Sequence, residues 1–223
     1  MKLGVLFSGG KDSVLAMHKA KEHHDIVCLL NLVSENPDSF MFHTPNANLT
    51  KLQSDSLGIP LLSVTTKGEK EKELDDMRSL LSDAKKKFKI EGVVTGAINS
   101  VYQATRIQTV CDELGLWCFN PLWQMDQIEL LNEIVADFEV IIVQVSAFPF
   151  DEKWLGRKID EKTVAELKSL AIKHKINPAG EGGEIETFVL NAPLFKKKIA
   201  INNAKTTYGN YAGRYIIGEA VLK

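Results

Sequence analysis

The sequence predicts an α/β fold, a parallel sheet with helices on both faces, followed by a smaller α+β carboxy-terminal domain. Apolar strand-like runs alternate with amphipathic helical stretches through the first half of the chain, the pattern of a parallel sheet. A glycine-rich turn joins the first such strand to the first helix. After Trp123 the alternation stops, and the chain ends in consecutive strand-like runs with short connections.

Residues 2–7, KLGVLF, predict a buried strand, and 12–24 a helix in which Val14 and Met17 lie three apart and Ala16 and Ala20 four apart. DIVCLLNLV at 25–33 predicts a second strand. A helix over 47–58 carries Leu49 and Leu52 and stops at Gly58, a residue suited to a helix C-cap, before a third strand, IPLLSV, at 59–64. The clearest helix is 69–88, where Leu74, Met77, Leu80, Leu81, Ala84 and Phe88 share one face. GVVTGA at 92–97 predicts a fourth strand, 105–114 a helix and 116–122 a fifth strand.

A helix through Ile128, Leu131 and Val135 leads to EVIIVQVSAF at 139–148, the most strand-like segment. Another helix follows around Val164, Leu167 and Leu170, and ETFVL, KKIAI and RYIIGEAVL read as the closing strands. The boundary is expected near 123, giving domains 1–123 and 124–223. With no internal repeat and no low-complexity linker, the two are expected to pack closely.

The charge balance, 27 basic against 29 acidic residues, lacks the basic excess of a protein that wraps nucleic acid, so no direct nucleic-acid binding is expected. Cys28, Cys111 and Cys118 match neither a zinc nor a redox spacing and read as small buried hydrophobes. The chain starts Met-Lys and runs straight into a strand pattern, with no secretory signal and no apolar run long enough to cross a bilayer. A cytoplasmic protein without membrane association is expected.

SGGKDS at 8–13 sits on the first strand-to-helix turn, where inward-pointing backbone N–H groups and a helix N-terminus make an anion site. It is not a Walker A loop, because Val5 stands where that motif needs glycine and Asp12 where it needs Ser or Thr. The dinucleotide fingerprint is absent as well. The loop resembles the PP-loop of the ATP pyrophosphatases, which share the adenine nucleotide alpha hydrolase-like fold. That resemblance implies an ATP site in which the loop holds the β and γ phosphates as leaving pyrophosphate, and the α–β bond breaks.

The residues suit that chemistry. Ser8, Lys11 and Ser13, with the backbone of Gly9 and Gly10, spread the charge of departing pyrophosphate. Asp12 would repel phosphate, so it is assigned to Mg²⁺ or to bracing the loop. Adenine is expected across the strand ends, against Leu30, Asn31 and Leu32 and near Gly96.

TGAINSVYQATRIQTVCDELGL at 95–116 and GEGGEIETFVLNAPLF at 180–195, with MFHTPN, NPLW and EKWLGRKID, resemble the diphthine–ammonia ligase family along nearly the whole chain. The resemblance implies that diphthine on elongation factor 2, ATP and ammonium give diphthamide, AMP and pyrophosphate, through an activated carboxylate. Lys11, Ser13 and Arg106 are the expected catalytic residues. Arg106, the arginine of the family's YQ-x-TR motif, is placed on the triphosphate. Tyr102, Gln103, His43 and Trp154 are expected at the substrate. So is the loop 180–187, in which Glu181, Glu184 and Glu186 crowd beside Gly182, Gly183 and Thr187. Three carboxylates there would repel phosphate and must meet something positive: Mg²⁺, ammonium, or the trimethylammonium group of diphthine.

The chain departs from the family at Ala104, where many relatives carry arginine, and at Asn191, where aspartate is common. No cysteine is placed for a built-in glutaminase, so free ammonium is the expected nitrogen source. The strand-rich carboxy-terminal part is compatible with a homodimer. Two other readings stay open on the residues alone: a PP-loop enzyme that adenylates a tRNA base, and a nucleotide-binding module that turns nothing over.

Overall fold

In the computed structural model, which describes residues 1–35, 46–67 and 72–223, β1 (Lys2–Leu6) runs into the glycine turn that starts α1 (Lys11–Lys21). β2 (Asp25–Ser34), α2 (Thr50–Leu57), β3 (Leu61–Thr66), α3 (Lys72–Phe88), β4 (Gly92–Val94), α4 (Val101–Glu113) and β5 (Trp117–Phe119) complete the alternation. These strands form one parallel sheet in the order β3-β2-β1-β4-β5. The chain therefore winds outward from β1 to β3 and returns to the other side of β1 for β4. That reversal opens a crevice beyond the carboxyl ends of β1 and β4, where open parallel sheets bind ligands.

Alternation along each strand sorts the side chains onto two faces. Leu3, Val5 and Phe7 pack with Val14, Leu15 and Met17 of α1. Cys28, Leu30 and Leu32 point to the opposite face and meet Met77, Leu80 and Leu81 of α3 and Val110 and Cys111 of α4. A register shift between Leu3 and Gly4 in the β1–β2 ladder puts Ile26 and Cys28 on different faces although they lie two apart. Cys28 and Cys111 are buried as expected, and burial pushes the Cys28 thiol up to about 12, whereas Cys118 is only half-buried and its hydrogen bond with Cys111 holds its thiol below the usual range.

The chain continues through α5 (Gln127–Asp137), β6 (Glu139–Val145), α6 (Glu161–His174), β7 (Ile185–Asn191), β8 (Ile199–Gly209) and β9 (Ala212–Leu222). Asp126 and Asp160 cap α5 and α6 by accepting hydrogen bonds from backbone N–H groups of their first turns. The strands form an antiparallel sheet in the order β7-β6-β9-β8. β6 is buried on both faces. Val140, Ile142 and Val145 join the cluster that holds Leu3, Phe7 and α1, so one core spans both sheets. Ile141 and Val143 turn the other way, to Phe188, Ile199 and Ile217, with Leu49 and Leu52 packed against them.

Several bounds differ from the sequence reading, and at α4 and β8 the reasons are local. α4 starts at Val101 rather than 105, because the Ser100 hydroxyl caps it by accepting the Gln103 N–H at 3.3 Å. β8 runs on to Gly209, past the apolar KKIAI, because its far half is held by pairing with β9 while its side chains stay exposed. Among the described residues no helix is long and apolar enough to cross a membrane.

Leu131, fully buried in the shared core, and Ile172, 78% exposed on α6, give a paired test. Leu131→Ala should lower the unfolding free energy by about 2–5 kcal/mol. Ile172→Ala should stay within about 0.5 kcal/mol of the parent. Urea denaturation followed by circular dichroism measures both.

Candidate active site

The glycine turn after β1 is held in shape by residues far away in the chain. Gly9 adopts a φ of +82°, and its carbonyl accepts hydrogen bonds from the Gln53 side-chain amide at 2.9 Å and the Val189 backbone N–H at 3.0 Å. A Cβ on Gly9 would lie 2.3 Å from Gln53 Oε1, so no larger residue fits there. The Lys11 backbone N–H donates to Thr187 Oγ1 at 3.1 Å. The strand β7 thus lies along the loop, and the first turn of α1 is tied to it.

Within the loop the Ser8 and Ser13 hydroxyls are 3.3 Å apart, and Ser13 Oγ also donates to the Gly10 carbonyl at 3.0 Å. Lys11 is 2% exposed. Its ammonium donates to Asp12 Oδ2 at 2.9 Å and to the Ala179 carbonyl at 2.5 Å. Asp12 Oδ1 is buried and makes no hydrogen bond among the described residues. A carboxylate oxygen without a hydrogen-bond partner at the helix start is a hard-cation donor of the kind Mg²⁺ takes. No group of three His, Cys, Asp or Glu able to hold a metal gathers among the described residues.

A cavity of about 670 Å³ opens in front of this loop. Its floor is Ser8, Gly10, Lys11, Asp12 and Ser13, and its sides include Leu30, Asn31, Leu32 and Gly96. The β4 turn comes so close that a Cβ on Gly96 would lie 2.9 Å from Asp12 C and Ser13 N. The Asn31 side chain is engaged with Thr50 Oγ1 at 2.9 Å, so Asn31 offers the cavity little beyond its backbone. Leu32 is different. The Leu29 and Glu35 N–H groups bond towards β3, whereas Leu30 accepts the Phe7 N–H on the β1 side. Successive residues of a strand alternate in this direction, so Leu32 turns its N–H and C=O to the space beyond the end of β1.

The remaining expected residues divide. Tyr102, Gln103, Glu181, Gly182, Gly183, Glu186 and Thr187 all line the cavity. Arg106 is one turn along α4, with its guanidinium carbon 3.6 Å from the centroid of the Tyr102 ring. Glu184 is spent on the loop itself: one oxygen accepts from the Asn177 backbone and side-chain amide at 2.9 and 2.8 Å, the other from Gly182 N–H at 2.9 Å. Trp154 is buried away from the cavity lining, edge-on to Phe150 and under Arg157. His43 lies outside the described residues. Gln144 and Ser146, on and just after β6, line the cavity without having carried a signal in the sequence.

Glu181 clamps the start of α4, accepting the Asn99 and Ser100 N–H groups at 2.9 and 2.8 Å. Burial holds its carboxyl above the usual carboxylate range; those two hydrogen bonds oppose the shift and the charge of Asp12 adds to it. Burial pushes Glu186 further, to about 7, with Lys11 pulling it down and Asp12 pushing it up.

A parallel sheet that reverses at β1, a glycine loop feeding a helix and a polar cavity over both define a nucleotide-binding domain of the PP-loop type. Residues 1–118 match the diphthamide synthase N-terminal domain and residues 126–222 the diphthamide synthase C-terminal domain. The chain belongs to the diphthamide synthase family. It is 37% identical over 226 residues to the diphthine–ammonia ligase of Rattus norvegicus and 34% identical to that of Homo sapiens, in each case over 92% of this chain and 84% of the relative. Among solved structures it is similar to a predicted subunit of tRNA methyltransferase from Methanocaldococcus jannaschii, with a TM-score of 0.47 and 17% identity over 86% of this chain and 98% of that one. A likeness at that level carries no functional argument.

Removing the tie between Thr187 and the loop tests the geometry. Thr187→Val leaves the buried Lys11 N–H without its acceptor and should cost about 1–3 kcal/mol of stability, read by urea denaturation. It should also weaken ATP binding, read by calorimetry.

Proposed function

We propose that this chain is an ATP-dependent ligase that amidates diphthine on elongation factor 2 with ammonium, through an acyl-adenylate, releasing AMP and pyrophosphate. ATP use and the amidation follow from family membership and from relatives named diphthine–ammonia ligase. The observation that carries the reading at residue level is the contact of Thr187 with Lys11, which joins the family's 180–187 segment to the nucleotide loop in one cavity. Activation by ATP and recognition of the acceptor then happen at one place.

In this reading adenine lies against Leu30, Asn31 and Leu32 and over Gly96, with the open backbone groups of Leu32 reading its edge. The triphosphate descends to the loop, where Ser8, Gly9, Gly10, Ser13 and the positive end of α1 receive the pyrophosphate portion. Lys11, the buried cation at the base of the cavity, and Arg106 offset the charge that grows on the leaving group. Mg²⁺, held by Asp12 and the phosphates, would supply further charge neutralisation when bound.

The substrate carboxylate approaches the α phosphorus from the side walled by Tyr102, Gln103, Glu181, Gly182, Gly183 and Thr187. The Tyr102 ring and the Glu181 carboxylate suit the trimethylammonium group of diphthine. Glu184 shapes that wall from behind. Adenylation gives the carboxylate a leaving group that ammonia can displace, which oxide is not. The setting that goes with this reading is the cytoplasm, with a protein rather than a nucleic acid as acceptor.

ATP–pyrophosphate exchange in the presence of diphthine-bearing elongation factor 2 isolates the first half-reaction. Lys11→Ala should reduce exchange by about 10²-fold or more with an unchanged circular dichroism spectrum. Exchange that survives at the parental rate would remove Lys11 and the loop from the chemistry.

A further inference from the structure

The second half-reaction needs something the adenylation machinery does not supply. Ammonium has no free electron pair, and at neutral pH nearly all of the nitrogen source is ammonium. A group near the acyl-adenylate must take a proton before nitrogen can attack. The three glutamates of the 180–187 segment are not equivalent for this task. Glu184 has both oxygens tied to Asn177 and Gly182, and Glu181 accepts two backbone N–H groups at the start of α4.

Glu186 differs from both. It lines the cavity, and among the described residues its carboxylate makes no hydrogen bond. Its neighbours do not compete for it. Gln144, its partner across the β6–β7 ladder, is turned to Ser146 Oγ at 3.0 Å and to the Arg214 Nε donor at 3.0 Å. Thr187, the next residue, is fixed to the backbone of Lys11. Glu186 is therefore an uncommitted carboxylate mounted on β7 at the wall of the adenylation cavity, which Lys11 and Asp12 also line.

Resting on the ligase reading above, we propose that Glu186 is the catalytic base that converts ammonium to ammonia at the acyl-adenylate. The Glu186 carboxylate takes one proton from ammonium. The freed electron pair forms the C–N bond at the acyl carbon, the bond from that carbon to the AMP oxygen breaks, and AMP leaves with its electrons. The second surplus proton on nitrogen passes to water, and Glu186 returns its own proton to solvent. The environment suits the task, since a carboxyl held near 7 accepts a proton from ammonium far more readily than one in the usual range.

The test uses two nucleophiles on intact protein with diphthine-bearing elongation factor 2. Hydroxylamine is largely unprotonated at neutral pH and needs no base. Glu186→Gln should lose about 10²-fold or more of ammonium-dependent amidation, while ATP–pyrophosphate exchange and hydroxamate formation stay within about threefold. Glu186→Asp should restore part of the ammonium rate, because it keeps the carboxylate. Equal loss with both nucleophiles, or loss of exchange in Glu186→Gln, would assign the residue to adenylation or to structure and overturn the proposal. Unchanged amidation would overturn it as well. A failure of the underlying ligase reading looks different, since the parent protein would then show neither exchange nor hydroxamate.

Discussion

The free edge of β7 against the glycine loop is the contact on which the rest of the site depends. β7 is the outer strand of its sheet, and an outer strand carries backbone groups with no ladder partner on one side. Here the Val189 N–H goes to the Gly9 carbonyl, and the Gln53 amide bridges the carbonyls of Gly9 and Val189. The Gly9 carbonyl of the glycine loop is thereby satisfied from outside the loop. Neither half of the chain completes this arrangement alone.

Chemical consequences follow from that join. Lys11 is buried by the segment it touches: its ammonium meets Ala179, and its backbone meets Thr187. The same segment brings Glu181 and Glu186 to the cavity wall, so the nucleotide loop and the acceptor side are positioned by one set of hydrogen bonds. A reactive acyl-adenylate formed at the loop would meet its nucleophile without travelling. The hydrophobic cluster that runs from Leu3 and Phe7 through α1 to Val140 and Val189 stiffens the join, because a packed interior resists the small displacements that would pull the halves apart.

Much of this was legible in the sequence, and what was not has physical reasons. The parallel sheet announced itself through apolar strand runs alternating with amphipathic helices: β1 and β2 are largely buried, and α3 puts Met77, Leu80, Leu81 and Ala84 into the core. The strand, glycine turn and helix around SGGKDS were readable because they are contiguous in the chain. Roles set by partners distant in sequence were not readable in the same way. Nothing in GEGGEIET says that Glu184 folds back on Asn177 while Glu186 stays open, since that choice is made by the turn and by the β6–β7 register. Trp154 was expected at the substrate, but packing against Phe150 places it outside the cavity lining, and Gln144 and Ser146 enter the cavity by strand direction alone.

The measurement that reaches the central claim most directly follows oxygen. Diphthine-bearing elongation factor 2 with ¹⁸O in the diphthine carboxylate, incubated with the protein, ATP and ammonium, should yield AMP that carries one ¹⁸O atom on its phosphate, because the carboxylate oxygen that attacks the α phosphorus leaves with AMP. Unlabelled AMP, or ADP with the label in inorganic phosphate, would contradict α–β cleavage through an acyl-adenylate and with it the account of the loop.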